Sequence, residues 1–167
     1  MDKLITKIMN QYWQDELSKE DIILQNHFSD HDIKVALEIA LANQDAVLAE
    51  NTFMVGYFFD LWASPNLMEV LKKLLLENWH HHHEDIVGLF QRKFNDDVTL
   101  LPVLISAIHN VPNYLNPIDL KYPYLRKIVY AIGAQSAPYN INTLELLCTF
   151  GDVELTKLAL HQIKKWI

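Results

Sequence analysis

Glycine is scarce in this chain, four residues in 167, and cysteine is scarcer still, with Cys148 alone. A lone cysteine excludes an intrachain disulfide and a cysteine zinc site. Cys148 lies in an apolar helical pattern and reads as a small core residue rather than a nucleophile. Scarce glycine beside abundant Leu, Ile, Ala, Lys and Glu argues against a turn-rich β fold and for helix. No apolar run reaches the length of a membrane span. Met1-Asp2-Lys3-Leu4 lacks the basic start and long apolar core of a signal peptide, so the expected location is the cytoplasm.

The motifs of the common enzyme classes are missing too. There is no Gly-x-Ser-x-Gly, no phosphate-binding loop and no dinucleotide fingerprint. No Ser-His-Asp set has local support. The carboxylate pairs Asp15-Glu16, Glu20-Asp21 and Asp96-Asp97 fall at helix ends, where solvation or capping accounts for them. The expectation is a non-enzyme with no catalytic residue, no metal and no cofactor.

What is present is an ordinary globular composition, half hydrophobic and 21% charged. At 167 residues the chain can build one domain with a sizeable core. Its net charge of −7 is unevenly placed. Residues 1–79 hold 6 Lys/Arg against 13 Asp/Glu, whereas residues 80–167 hold 8 of each. An acidic half argues against nucleic acid, since phosphate binding needs a cationic face. It suits a basic protein partner, although it also serves solubility.

Helical periodicity recurs along the chain. Leu4, Ile5, Ile8, Tyr12 and Trp13 share a face in the first helix, read as Met1 to Leu17. Ser18 with Asp21, and Ser29 with Asp32, have capping-box spacing with Asp in place of Glu. Asn43-Gln44-Asp45 is a turn. Gly56, inside the next helix, reads as a point of close approach for a neighbouring helix. Ser64-Pro65 restarts the chain, and Leu67, Val70, Leu71, Leu74 and Leu75 make the most regular apolar face. That helix is read as reaching Trp79, with another from Glu84 to Phe94.

Asn110 to Pro123 reads as the longest irregular segment, with Pro123 opening a helix that Gly133 ends. Asn142-Thr143-Leu144-Glu145 reads as a capping box, and Asp152 caps the last helix. No segment alternates with period 2, and the total is about nine helices. Short connections force antiparallel hairpins, which must stack to bury their apolar faces.

His80-His81-His82-His83 invites a metal reading. On a helix His80 would face Glu84 and His81 would face Asp85. A zinc site needs three or four converging ligands. His27, His31 and His109 are remote candidates that no spacing requires to converge. The HExxH arrangement fails because His83-Glu84-Asp85-Ile86-Val87 ends in Val. The expected role is a helix–helix corner in which one or two histidines pack or cap. Glu84 and Asp85 then offset the positive end of the helix they open.

Two stretches repeat one another. Asp97-Val98 precedes Leu101 and Leu104; Asp152-Val153 precedes Leu155, Leu158 and Ala159. Between them Tyr130-Ala131-Ile132-Gly133 ends a helix. These pieces, over residues 66–167, resemble HEAT repeats, although the arginine common in HEAT second helices has no counterpart after Asp97 or Asp152. Trp79 through Val87, with Tyr114-Leu115, Lys127 and Tyr130 to Gly133, resembles the small HEAT-like bacterial immunity proteins of polymorphic and contact-dependent growth inhibition systems.

The resemblance implies an all-α fold of antiparallel hairpins stacked as a short α-solenoid, one helical-repeat domain over residues 1–167. It implies a cytoplasmic protein that binds and neutralises a cognate toxin domain, basic and nuclease-like, with no nucleic-acid or membrane ligand. Residues expected to meet that partner are Asp60, Trp62, Glu69, Trp79, His82, His83, Glu84, Asp85, Tyr122 and Tyr124. The alternatives are a HEAT-like enzyme such as a glycosylase or lyase, a metal-binding helical protein, or a general interaction scaffold.

Overall fold

A computed structural model describes residues 1–166. Every regular element among them is helical: ten α-helices and two short 3₁₀ turns. The chain divides into two compact units, residues 1–74 and 75–167.

The first unit contains α1 (Asp2–Trp13), α2 (Lys19–Gln25), α3 (Asp30–Asn43), α4 (Ala46–Phe58), a 3₁₀ turn at Pro65–Leu67 and nearly all of α5 (Met68–Leu75). Two serine boxes set its starts. Ser18 accepts from the Asp21 amide at 3.1 Å, and the Ser18 amide donates to the Asp21 carboxylate at 3.0 Å. Ser29 and Asp32 repeat the exchange. Gln44 turns left-handed to end α3, and Asp45 caps α4 by accepting from the Leu48 amide. α4 packs on both α1 and α3. Ile5, Met9, Ile33, Leu37, Ala40, Ala49 and Phe53 are buried in this unit. The neighbour that Gly56 admits is no helix: the indole of Trp62, just past the end of α4, fills the space a methyl group would need.

The second unit holds α6 (His83–Arg92), α7 (Leu100–His109), a 3₁₀ turn at Asn113–Leu115, α8 (Ile118–Gly133), α9 (Tyr139–Leu147) and α10 (Val153–Ile163). α8 is its centre and packs against α6, α7, α9 and α10. Its buried face, Tyr124, Leu125, Ile128, Val129 and Ile132, has the i, i+3, i+4 spacing of a core stripe. Asp152 caps α10 by accepting from the Leu155 amide at 2.9 Å.

Several boundaries differ from those the sequence suggests: α1 ends at Trp13 rather than Leu17, and α6 runs His83–Arg92 rather than Glu84 to Phe94. α5 ends at Leu75, so Trp79 stands in the loop before α6. α8 starts at Ile118 and carries Pro123 in its interior. Proline has no N–H to return to the fourth residue back, so the Asp119 carbonyl goes without that bond. α9 starts at Tyr139, which puts Asn142 and Thr143 inside the helix. There Thr143 donates its hydroxyl to the Tyr139 carbonyl at 2.8 Å instead of capping.

Candidate functional site

The histidine run is not helical along its length. Only His83 belongs to α6, and His80 to His82 form the approach to it. The pairs His80–Glu84 and His81–Asp85 therefore do not lie along a common helix. Instead the His82 ring reaches Asp85 in the first turn at 3.2 Å. Among the described residues no group of three or more His, Cys, Asp or Glu side chains is placed to hold a metal ion.

Two of the four histidines are interior. His80 and His83 are buried and stack at 4.4 Å between ring centroids, 15° from parallel. His80 Nδ1 accepts from the His82 amide at 3.1 Å, which fixes the turn into α6. His83 Nε2 lies 2.6 Å from the Glu77 carbonyl. A carbonyl only accepts, so this nitrogen carries the proton. His83 Nδ1 lies 3.1 Å from the Tyr114 hydroxyl, which also donates to the His81 carbonyl at 3.0 Å. With His83 neutral, two protons serve three contacts, and Tyr114 divides one between them. Burial holds His83 below the ordinary histidine pKa of 6.5. Burial also pushes Tyr114 up to about 12, so its hydroxyl stays protonated at neutral pH.

This network ties the Glu77–His83 loop to the Asn113–Leu115 turn and leaves a defined outer surface. His81 is exposed and rests on Tyr114, 4.4 Å between rings. Trp79 is half-buried, donates its indole N–H to Glu77 at 3.0 Å and meets His80 edge-on. Glu84 pairs with Lys127 of α8 at 2.9 Å. A recess of about 280 Å³ opens here, with His81, Glu84, Asp85, Arg92 and Lys127 on its walls. A side chain on Gly88 would sit 3.2 Å from the Arg92 guanidinium, so the glycine leaves room for Arg92 beside the helix. With carboxylates and cations facing one opening, the recess suits polar, hydrogen-bonded contact rather than an apolar ligand.

Of the residues read from sequence as partner contacts, Trp79, His82, His83, Glu84, Asp85 and Tyr124 gather at this corner. They do not all face outward. His83 is fully buried, and so is Tyr124, whose ring meets His83 edge-on at 6.4 Å. Burial pushes the Tyr124 hydroxyl well above its ordinary range, and no hydrogen-bond partner lies near it among the described residues. Both residues support the surface from beneath and cannot touch a docked molecule. Tyr122 is separate: it donates to Asp152 at 3.3 Å, and the Asp152 charge raises its pKa.

In the first unit Trp62 is a core residue rather than an anchor, stacked on Phe53 at 4.7 Å. Glu69 is exposed and pairs with Lys72 at 2.8 Å, and Asp60 is exposed at a left-handed turn with φ 50°. Glu77, His80 and Tyr114 lie outside the partner contacts expected from sequence. Tyr114 and His83 are 31 residues apart, and no local pattern joins them.

No family model, no curated protein and no solved structure matches the chain.

Proposed function

We propose that this chain is a protein-binding module of the immunity type, which holds and masks a basic toxin domain. The observation that carries the proposal is the preorganised corner. His81 and Trp79 stand on a loop that His83, Tyr114 and Glu77 lock from below, and Asp85 is exposed beside them in the first turn of α6. A surface already fixed before contact loses little side-chain entropy on binding, which is what a tight inhibitor needs.

Charge supports the same reading. Residues 1–74 carry 6 Lys/Arg against 12 Asp/Glu, enough to attract a cationic partner over distance. Exposed Asp60 and Glu69 belong to that field. At the corner Glu84 and Asp85 already have internal partners, Lys127 and His82, so they confer orientation more than attraction. The helix order of the second unit, with α8 flanked by α6, α7, α9 and α10, supports a HEAT-like stacking.

The experiment is co-expression with a candidate basic toxin domain drawn from the genes that neighbour this one, followed by calorimetry on the purified pair. A complex is expected whose affinity falls on the order of 100-fold when Trp79→Ala is combined with Asp85→Lys. Failure of the pair to co-purify, or indifference of the affinity to the double substitution, would overturn the proposal.

A further inference from the structure

Trp13 ends α1 with half its surface in solvent, 51% exposed, yet its indole does not swing freely. The indole N–H donates to Asn51 Oδ1 at 3.0 Å, and Asn51 is 2% exposed, inside α4. Tyr12 meets Trp13 edge to face at 5.1 Å, and Tyr12 meets Phe58 at the same distance and angle. The three rings make a fixed aromatic wall.

A recess of about 500 Å³ opens against that wall, bounded by Tyr12, Trp13, Asp15, Ser18, Lys19 and Glu20. Asp15 stands in the turn after α1 at φ 58°, a left-handed conformation that Asp tolerates better than most residues. Neither the Asp15 nor the Glu20 carboxylate has an ion pair among the described residues. The aromatic cluster already holds one cation from within: Lys19 Nζ lies 5.5 Å over the Phe58 ring. Two carboxylates against one ammonium leave the recess with an excess negative charge.

From this geometry we infer that the recess is a docking site for an arginine side chain of a protein partner. A guanidinium is planar and stacks on an indole face, while its N–H fork reaches carboxylates bidentately. The recess offers both kinds of surface, and the Trp13–Asn51 bond sets the indole before the ligand arrives. The site deepens the immunity reading, because it names what a basic partner would present to the first unit, and it rests on that reading only for the identity of the partner.

The test uses the whole chain and a minimal probe. Isotope-labelled protein is titrated with acetyl-Gly-Arg-Gly-amide and, separately, with the same peptide carrying citrulline, which keeps the shape and loses the charge. The Trp13 indole resonance, assigned by its disappearance in Trp13→Phe, should shift saturably with the arginine peptide. Citrulline should bind about tenfold more weakly, and so should arginine to the Asp15→Asn, Glu20→Gln variant. That variant changes only exposed groups, so its melting curve should match the parent. A Trp13 resonance that ignores the arginine peptide, or responds equally to citrulline or in the variant, overturns the assignment. No toxin domain enters this assay, so failed co-purification and a failed titration remain separate results.

Discussion

A methyl group on Gly56 would stand 2.5 Å from Cζ2 of Trp62, inside the indole. The two residues thus specify one another across the turn that follows α4. The Trp62 ring is rigid and also stacks on Phe53, so it has no slack to yield. Gly56→Ala should therefore destabilise the protein by about 1–3 kcal/mol, the usual cost of overpacking, although alanine is the better helix former. Trp62→Phe in the same background should recover part of that loss, since the smaller ring vacates the contact. The Trp62 indole N–H is buried without a hydrogen-bond partner among the described residues, so its removal costs nothing in hydrogen bonding. Urea midpoints of the two single variants and the double variant would measure the coupling.

Gln135 should be the most damaging polar position in the second unit. It is fully buried just beyond α8. Its Oε1 accepts from the Asp97 amide at 3.1 Å. Its Nε2 lies within 3.4 Å of the carbonyls of Phe90, Phe94 and Ala131. One side chain thus serves backbone groups of α6, α8 and the α6–α7 loop. Gln135→Leu keeps a comparable volume but strands those groups, for an expected loss of about 2–4 kcal/mol. A denaturant midpoint within error of the parent would show that water replaces the amide.

Starts governed by one local side chain were legible in the sequence. Ser18, Ser29 and Asp152 cap the helices that follow them, as their spacing suggests, whereas Asp45, which reads only as part of a turn, also caps α4. The errors lie where local signals compete with packing. Pro123 looks like a helix start, but burial of Tyr124, Leu125 and Ile128 holds one continuous α8 across it. Asn142-Thr143-Leu144-Glu145 has the letters of a cap, but the chain is already helical from Tyr139. At the candidate site four consecutive histidines stand out in the sequence, whereas the Glu77 carbonyl carries no side-chain signal and Tyr114, although part of the immunity-protein resemblance, has nothing local that pairs it with His83. Trp13 and Asn51 are 38 residues apart, and a sequence shows each only as an aromatic on one helix and an amide on another.

Lowering the pH should weaken the protein through His83. Its pKa in the folded state lies below the unfolded value of 6.5, because burial disfavours the imidazolium. Above about pH 6.5 both states are neutral and the His83 contribution is fully present. As the pH falls below 6.5 the unfolded chain takes up a proton first, and stability is lost until the folded-state pKa is passed. His81 and His82 on the same loop add to this by repelling a charge on His83. Thermal melts of the parent and His83→Gln across this window should show a shallower pH dependence in the variant. Equal slopes would mean that other groups account for the whole loss.

Tyr114→Phe separates the packing of the corner from its hydrogen bonding. The ring still rests against His81 and His83, but the hydroxyl that reaches His83 Nδ1 and the His81 carbonyl is gone. Two acceptors then compete for no donor, and the buried one, Nδ1, is the more costly to leave bare. The expected loss is about 1–3 kcal/mol. An unmet acceptor nitrogen can also be satisfied by binding a proton, so the variant should make His83 easier to protonate unless water enters. The prediction is a higher His83 pKa in Tyr114→Phe than in the parent, read from the imidazole carbon–proton resonances during a pH titration. A fall in that pKa would mean that the hydroxyl had been donating to the His81 carbonyl alone and accepting from an imidazolium. The same variant bears on the docking surface, because the Glu77–His83 loop would keep its histidine stack but lose its tie to the Asn113–Leu115 turn. Faster amide exchange at His81 and His82, with α8 unchanged, would mark the loosening as local.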